Sequence, residues 1–389
     1  MRMKLQSIIK KYLLLLFLVF SVVFLSGCWD RNEVNDLALI MAAGFDKKSD
    51  NTIELSVLLY IPKGGGNQQD MNSAGGGGYE TMVRSAAGIT VADAMARLQE
   101  KLPRQIFWGH TDIFLFNEKL AKEGIFEHVD FIMRHPQLRE RAQIFVSKQP
   151  AKEVLSLMPP LERDLSEVLR ELGEHEIGMS ITTKELAQML ISDSGDCALP
   201  WIQILPPDDK NKPKRTIAYI TGTAVFKKDK MIGKIDDMLT RGILWIRDEI
   251  RLAVVTVKLP QTKGYISVNL SQAHSKLVPT IENGKWKITL KSETYSDIVQ
   301  NSTHLNVSDP AVVKSLERQI EQVINNRIEL ARKKVQKEMK ADILGFADAF
   351  HRYYPKVWNK EKKRWEEIFP DVEVKYETKC KIRRQGLHS

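Results

Sequence analysis

The feature that most constrains this chain of 389 residues is the run that ends at Leu25-Ser26-Gly27-Cys28. Arg2, Lys4, Lys10 and Lys11 precede a stretch from Tyr12 to Leu25 that is apolar except for Ser21, and Ser26 and Gly27 separate that stretch from the cysteine. A positive start, a short apolar middle and small residues at a cut describe a secretory leader. The apolar stretch is too short to cross a bilayer core comfortably as a helix. The expectation is therefore a cleaved leader over residues 1–27, not a permanent transmembrane anchor. Cys28 sits where a bacterial lipobox cysteine sits. Its sulfur would take a diacylglyceryl group, and cleavage after Gly27 would make it the new amino terminus, open to N-acylation. Buried acyl chains contribute about 0.8 kcal/mol per CH₂, so two hold a protein on a membrane where one holds it marginally. The folded body is expected to start at Cys28 and to work outside the cytoplasm, tied to a membrane. The alternative is a plain signal peptide with a chance cysteine just past the cut.

Removing the leader's four basic residues takes the net charge from +9 to +5. That balance suits a body near anionic headgroups, although ordinary solvated charge explains it as well. No basic stretch is interleaved with aromatics and there is no zinc-finger spacing, so nucleic acid is not an expected partner. An apolar content of 43% with 28% charged residues describes a globular chain. Beyond Cys28 only Cys197 and Cys380 remain, too few for a disulfide scaffold. A pair and two separate buried thiols both stay open. No second long apolar segment follows the leader, so nothing else is expected to cross a membrane.

Periodicity predicts an α+β body in which sheets pack with helices. Buried strands are expected at Leu37 to Ala43, ending at Gly44-Phe45-Asp46, and at the alternating Ile53 to Ile61. Residues 63–78, with Gly64-Gly65-Gly66 and Gly75 to Gly78, lack the Lys-Ser/Thr of a phosphate-binding loop and read as a flexible surface loop. Thr90 and Asp93 resemble a capping box before a helix that ends by Pro103. A strand over Ile106 to Phe116, a helix over Ile125 to Arg134 and a strand over Ala142 to Ser147 follow. These complete a first domain, 28–150. A more helical middle domain, 151–213, holds amphipathic stretches at Leu161 to Leu172 and Thr183 to Ile191, the turn Asp193-Ser194-Gly195-Asp196 and a short strand from Trp201. The run Pro206 to Pro213 marks the boundary to a C-terminal domain, 214–389. That domain is expected to hold a hairpin around Lys227 to Lys230, a short helix at Ile235 to Leu244 and strands at Arg251 to Leu259, Ile266 to Leu270, Lys276 to Ile281 and Trp286 to Lys291. Asn283-Gly284 is a strong two-residue hairpin signal. Asp309-Pro310 then opens a long amphipathic helix, helical segments follow around Ile343 to Tyr353 and Trp358 to Ile368, and a closing strand places Val372, Val374, Tyr376, Cys380 and Ile382 on one face.

No catalytic constellation is legible. There is no Gly-x-Ser-x-Gly elbow and no His-Glu-x-x-His helix, so the catalytic, metal and cofactor expectations are all none. Glu171, Glu174, His175 and Glu176 come nearest to a ligand cluster, but a solvated helix end explains them more simply. His128 and His135 are seven apart, with Pro136 ending the helix. Asp112, Asp236, Asp237, Asp342 and Asp348 are acids with no pairing visible in sequence. Tyr353, Tyr354, Trp358, Trp365 and Phe369 crowd together, as core packing or as a docking patch.

Three stretches carry a resemblance. The first is Cys28-Trp29-Asp30-Arg31-Asn32-Glu33 with Leu37 to Ile40 and Gly44-Phe45-Asp46. The second is Gly222-Thr223-Ala224-Val225-Phe226 with Lys230-Met231-Ile232-Gly233. The third is Asp342-Ile343-Leu344-Gly345-Phe346 with Pro355, Trp358, Trp365, the closing strand and Gly386. In this order the chain resembles the Ger(x)C spore germination lipoproteins, the C subunits of GerA-type nutrient germinant receptors. Ala347 departs from the pattern, where a glycine is expected. The resemblance implies three mixed α/β domains, the third from about Ile217 to Ser389. It also implies a non-catalytic receptor subunit, lipidated at Cys28, on the outer leaflet of the spore inner membrane with two integral-membrane partner subunits. The rival readings are an extracytoplasmic solute-binding lipoprotein, which would show two similar lobes around a cleft, and a surface hydrolase, which would need convergent acids.

Overall fold

The computed structural model describes residues 11–15, 17, 36–62, 79–260 and 262–384. Cys28, the Gly64 to Gly78 loop and Gly386 lie outside the described residues. The stretch Met1–Leu37 separates from the rest as its own unit, in which residues 11–15 and 17 are helical. No described helix is long and apolar enough to cross a membrane.

From Ala38 onward the described residues form one compact unit built on two sheets. The strands of the first are β1 (Leu37–Ser49), β2 (Thr52–Pro62), β3 (Tyr79–Gly88), β4 (Gln105–Phe107), β5 (Ile113–Asn117), β6 (Gln143–Ser147), β7 (Cys197–Ile204), β8 (Ala218–Lys227) and β9 (Lys230–Asp236). They pair in the order β3-β2-β1-β5-β6-β7-β8-β9, with β4 added beside β1. The centre, β1-β5-β6-β7, is parallel and both flanks are antiparallel. Parallel strands are covered on both faces, which is why Ile113-Phe114-Leu115-Phe116 and the strand from Cys197 read as unbroken apolar runs. On one face, α4 (Ala151–Leu155) and α5 (Leu165–Glu174) pack over Leu58, Leu115, Phe145 and Ile202. On the other lie α1 (Val91–Gln99), α2 (Glu118–Glu123), α3 (Phe126–Arg134) and α6 (Thr183–Leu190). The sheet passes both expected domain boundaries: β6 pairs β7 across residue 150, and β7 pairs β8 across the Pro206 to Pro213 loop.

The second sheet is β10 (Val254–Val257), β11 (Ile266–Glu282), β12 (Lys285–Asn301) and β13 (Glu373–Arg384), in that order. Asn283 and Gly284 turn the β11–β12 hairpin at φ 51° and 74°, the left-handed pair that a two-residue turn demands. Between β12 and β13 the chain makes α8 (Pro310–Arg332), a π-helical extension (Lys333–Glu338), α9 (Phe346–Tyr353), α10 (Pro355–Glu361) and α11 (Trp365–Ile368). The opening of α8 is as expected: the Ala311 amide donates to Asp309 Oδ1 at 2.8 Å, with Pro310 in the first turn.

Helix α8 runs antiparallel to β13 along its free edge. Glu317 Oε1 accepts the Ile382 amide at 3.0 Å, Glu321 Oε1 the Cys380 amide at 2.9 Å and Asn325 Oδ1 the Thr378 hydroxyl at 2.5 Å, and Glu329 takes the Tyr376 hydroxyl. The registers match because four helical residues rise about 6 Å and two strand residues roughly 6.6 Å. Burial works against ionisation of Glu329, but Arg332 and Tyr376 hold its carboxyl down at about 2.

Several boundaries differ from expectation. The strand expected over Ile106 to Phe116 is two, β4 and β5, because the chain turns between them with the Thr111 amide bonded to the Trp108 carbonyl at 3.0 Å. The strands at Ile266 to Leu270 and Lys276 to Ile281 are one, interrupted only by a bulge between Leu270 and Gln272. Strand β12 runs ten residues past Lys291, since its inward side chains there include the buried hydroxyls Ser292, Thr294 and Ser296. Strand β1 continues through Asp46, whose buried carboxylate accepts the amides of Ala151 at 2.7 Å and Lys152 at 3.1 Å.

The sheets are coupled through α7 (Asp237–Ile246), which follows β9 and packs on α8. A Cβ on Gly242 would lie 2.6 Å from both Ala331 Cβ and the Arg327 carbonyl oxygen. Gly242→Ala is therefore expected to destabilise the fold by about 1–3 kcal/mol through overpacking, read as a lowered urea midpoint with an unchanged slope.

Candidate functional site

Two short segments concentrate the buried carboxylates. One is Asp193-Ser194-Gly195-Asp196, which leaves α6 and turns into β7. The other follows α8 and runs from Lys340 to Asp348, with Lys340 and Gly345 left-handed at φ 52° and 80°. Asp196 joins them: its Oδ1 accepts the Lys228 amide at 2.9 Å and its Oδ2 the Asp342 amide at 2.8 Å. Asp342 Oδ1 accepts the Phe346 amide at 3.1 Å, and Oδ2 accepts the Ala347 amide at 2.8 Å and Trp365 Nε1 at 3.1 Å. The Ser194 hydroxyl donates to the Asp342 carbonyl at 3.3 Å. Asp193 holds Trp358 Nε1 at 3.0 Å on one oxygen and meets His351 Nδ1 at 2.5 Å on the other.

Aromatic rings sit behind these carboxylates. Trp286 lies edge-on to Phe350 with centroids 4.6 Å apart, and Trp358 lies 5.0 Å from Trp365. Burial among them pushes the Asp342 carboxyl up to about 7; the Asp196 and Asp348 charges add to the rise and the two backbone amides oppose it. Burial also raises Asp196, against the amides of Lys228 and Asp342. Burial and the nearby Asp193 raise Asp348. Both oxygens of Asp342 are committed to amide or indole donors. The group therefore ties chain segments together and does not present itself to a substrate. Beside the junction, a cavity of about 410 Å³ opens between α6, the end of α7 and residues 342–348.

Of the five acids singled out in sequence, Asp342 and Asp348 meet here. The other three do not: Asp112 pairs with Arg139 at 2.8 Å, Asp236 caps α7 through the Leu239 amide at 2.9 Å, and Asp237 pairs with Arg241 at 3.1 Å. Glu171 and Glu174 bind Arg170 at 2.5 and 2.8 Å, and Glu176 pairs with Arg251 at 3.4 Å. Among the described residues no group of three His, Cys, Asp or Glu side chains is placed to hold a metal. His128 is buried against Phe45 and Phe116, which lowers its pKa, and the His135 backbone closes α3. Trp358, Trp365 and Phe369 belong to the core, while Tyr353 is exposed. Cys197 and Cys380 are unpaired and buried, and burial pushes their thiols up, Cys380 to about 12. Sequence reasoning read Asp193 and Asp196 only as turn residues. Two carboxylates flanking a Ser-Gly pair were the available signal, without a sign of their distant partners.

A carboxyl whose folded pKa is raised binds a proton that the unfolded chain has released, so its ionisation weakens the fold as pH rises. The Asp342 contribution is intact at or below the usual carboxylate range and is lost as pH climbs through about 7. Stability is expected to fall between about pH 4 and 7, from the usual carboxylate value of 3.8 to the raised one of about 7, and to level off above it. Asp342→Asn is expected to flatten this slope while lowering stability overall, because an amide cannot accept on both sides. Denaturant titrations across that range check both effects.

Two family models match the chain. "Spore germination protein N-terminal domain" covers residues 30–204, and "Spore germination B3/ GerAC like, C-terminal" covers residues 221–386, so the two meet at the loop between β7 and β8. Spore germination protein KC of Bacillus subtilis is 27% identical, over 98% of this chain and 97% of its own length. Spore germination protein B3 of the same organism is 25% identical, over 93% and 96%. A crystal structure of the GerBC protein superposes with a TM-score of 0.53 over 90% of this chain and 99% of its own, at 17% identity, and shares the fold. The chain belongs to the Ger(x)C family of spore germination proteins.

Proposed function

We propose that this protein is the lipid-anchored, non-catalytic subunit of a nutrient germinant receptor. Cys28 would hold it on the extracytoplasmic face of the spore inner membrane beside two integral-membrane subunits, and it would be needed for germination in response to nutrients. The observation that carries the reading is the pair of spore germination domains, one after the other along the chain, behind a lipobox-like Leu25-Ser26-Gly27-Cys28. The buried carboxylates support the non-catalytic part, since Asp196 and Asp342 spend their oxygens on the chain's own amides. Acylation would confine the body to a plane, which raises its effective concentration near membrane partners without any new contact.

Cys28→Ala is the direct test. It is expected to move most of the protein from membranes to the soluble fraction and to impair germination with nutrients, while germination forced by non-nutrient means is unchanged. Mass spectrometry of the native product should find the amino terminus at Cys28 with acyl chains attached. Full membrane retention of the variant, or an unmodified thiol in the wild type, would overturn the anchor. Recovery of two polytopic proteins with the detergent-solubilised chain tests the partners.

A further inference from the structure

Helices α7 and α8 bring two guanidiniums together where they cross. A Cβ on Gly242 would lie 2.6 Å from the Arg327 carbonyl oxygen, so the backbone next to Arg241 touches the turn of α8 that carries Arg327. Arg241 is answered by an acid: its Nη2 pairs with Asp237 Oδ2 at 3.1 Å, one turn back on α7. Arg327 is not. Among the described residues its side chain has no ion pair and no hydrogen bond. Arg241 Nε and Arg327 Nη1 are closed off from water, and neither meets an acceptor among those residues. Burial pushes the Arg327 group down, the Arg241 charge adds to the fall, and Asp237 opposes it. Asp236, next in the chain to Asp237, is already used on the α7 cap.

A guanidinium keeps its proton at any pH a protein meets, so Arg327 cannot escape this position by titrating. A cation half out of water beside a second cation is costly unless an anion answers it. The seam holds two guanidiniums against Asp237, with N–H donors left over on both. The two forks come from different helices, so an anion that meets both needs oxygens in more than one plane. A carboxylate offers one plane; a tetrahedral phosphate offers several. The Arg241 side chain is 26% exposed and Arg327 is partly exposed, so the seam is open to a ligand from outside. Met238, three before Arg241, and Leu330, three after Arg327, lie on the same helix faces and are 48% and 49% exposed.

We propose that Arg241 and Arg327 form an anion site at the α7–α8 seam that takes a phosphate group. The outer N–H groups of the two forks receive it, and a small turn of either flexible side chain brings the closed-off ones onto it. A lipid headgroup and a free phosphate share this chemistry. Met238 and Leu330 favour the headgroup, because an apolar flank suits the glycerol and first methylenes that come with it. That source rests on the membrane-subunit reading; the anion chemistry does not. A headgroup held here would set the α7–α8 side of the body against the bilayer surface.

The test uses the full-length chain in a non-ionic detergent. It is titrated with dihexanoylphosphatidylglycerol below its micelle-forming concentration, with inorganic phosphate, and with acetate at matched ionic strength. The phospholipid should raise the thermal unfolding midpoint by a few degrees, and acetate should not. Arg327→Met should abolish the shift and leave the ligand-free midpoint unchanged or higher, since it removes an unanswered cation. Arg327→Lys keeps the charge without the fork and should weaken binding severalfold. Arg97→Gln, on α1 and paired with Asp93, should leave the shift as in the wild type. A shift with the phospholipid alone assigns the headgroup; an equal shift with inorganic phosphate keeps the site and assigns a soluble phosphate. No shift with either, a shift unchanged in Arg327→Met, or one that acetate matches would overturn the site and leave the subunit reading standing. Failure of the subunit reading shows elsewhere, in full membrane retention of Cys28→Ala, and removes only the headgroup as source.

Discussion

A carboxylate taken out of water must be surrounded by donors, and Asp342 shows what that demand organises. Its two oxygens hold the Phe346 and Ala347 amides and the Trp365 indole, while its own amide is held by Asp196. The start of α9, a ring of the aromatic cluster and the turn before β7 therefore close on a single residue, the first two through its carboxylate and the last through its backbone. An unpaired charge there would cost several kcal/mol. The two sheets share no strand. This joint and the close passage of α7 over α8 at Gly242 link them, within one apolar core that runs through both.

Much of the fold was legible because burial and period agreed. The parallel centre reads as unbroken apolar runs, α1 opens on the expected Thr90–Asp93 pair with the Asp93 amide on Thr90 Oγ1 at 3.1 Å, and Asn283-Gly284 announces its turn. The second half of β12 was hidden, because hydroxyls can line a tight interior as well as apolar groups do: Ser292, Thr294 and Ser296 face inward without a hydrophobic signature. The bulge in β11 shifts the alternation by one residue and makes one strand look like two.

The site was less legible than the fold, for a physical reason. Asp193 and Asp342 lie far apart in sequence, and a polar contact between distant segments leaves no periodicity. Asp193, Ser194, Gly195 and Asp196 suffice for a turn, and nothing local says that both acids also bind a segment over a hundred residues later. The aromatic cluster was visible as a crowd of rings. Only the fold shows that Trp286, from a hairpin strand, completes it.

The row of acceptors on α8 has a consequence for how copies of this protein meet. Glu317 and Glu321 occupy two outward amides of β13, those of Ile382 and Cys380, and α8 holds the Thr378 and Tyr376 hydroxyls beside them. An incoming strand would bring carbonyl oxygens to a margin where the hydrogens it needs are already taken and the nearest atoms are anionic. Along this stretch the helix takes the place that an added strand would need, which protects that part of the sheet edge from pairing with a neighbour.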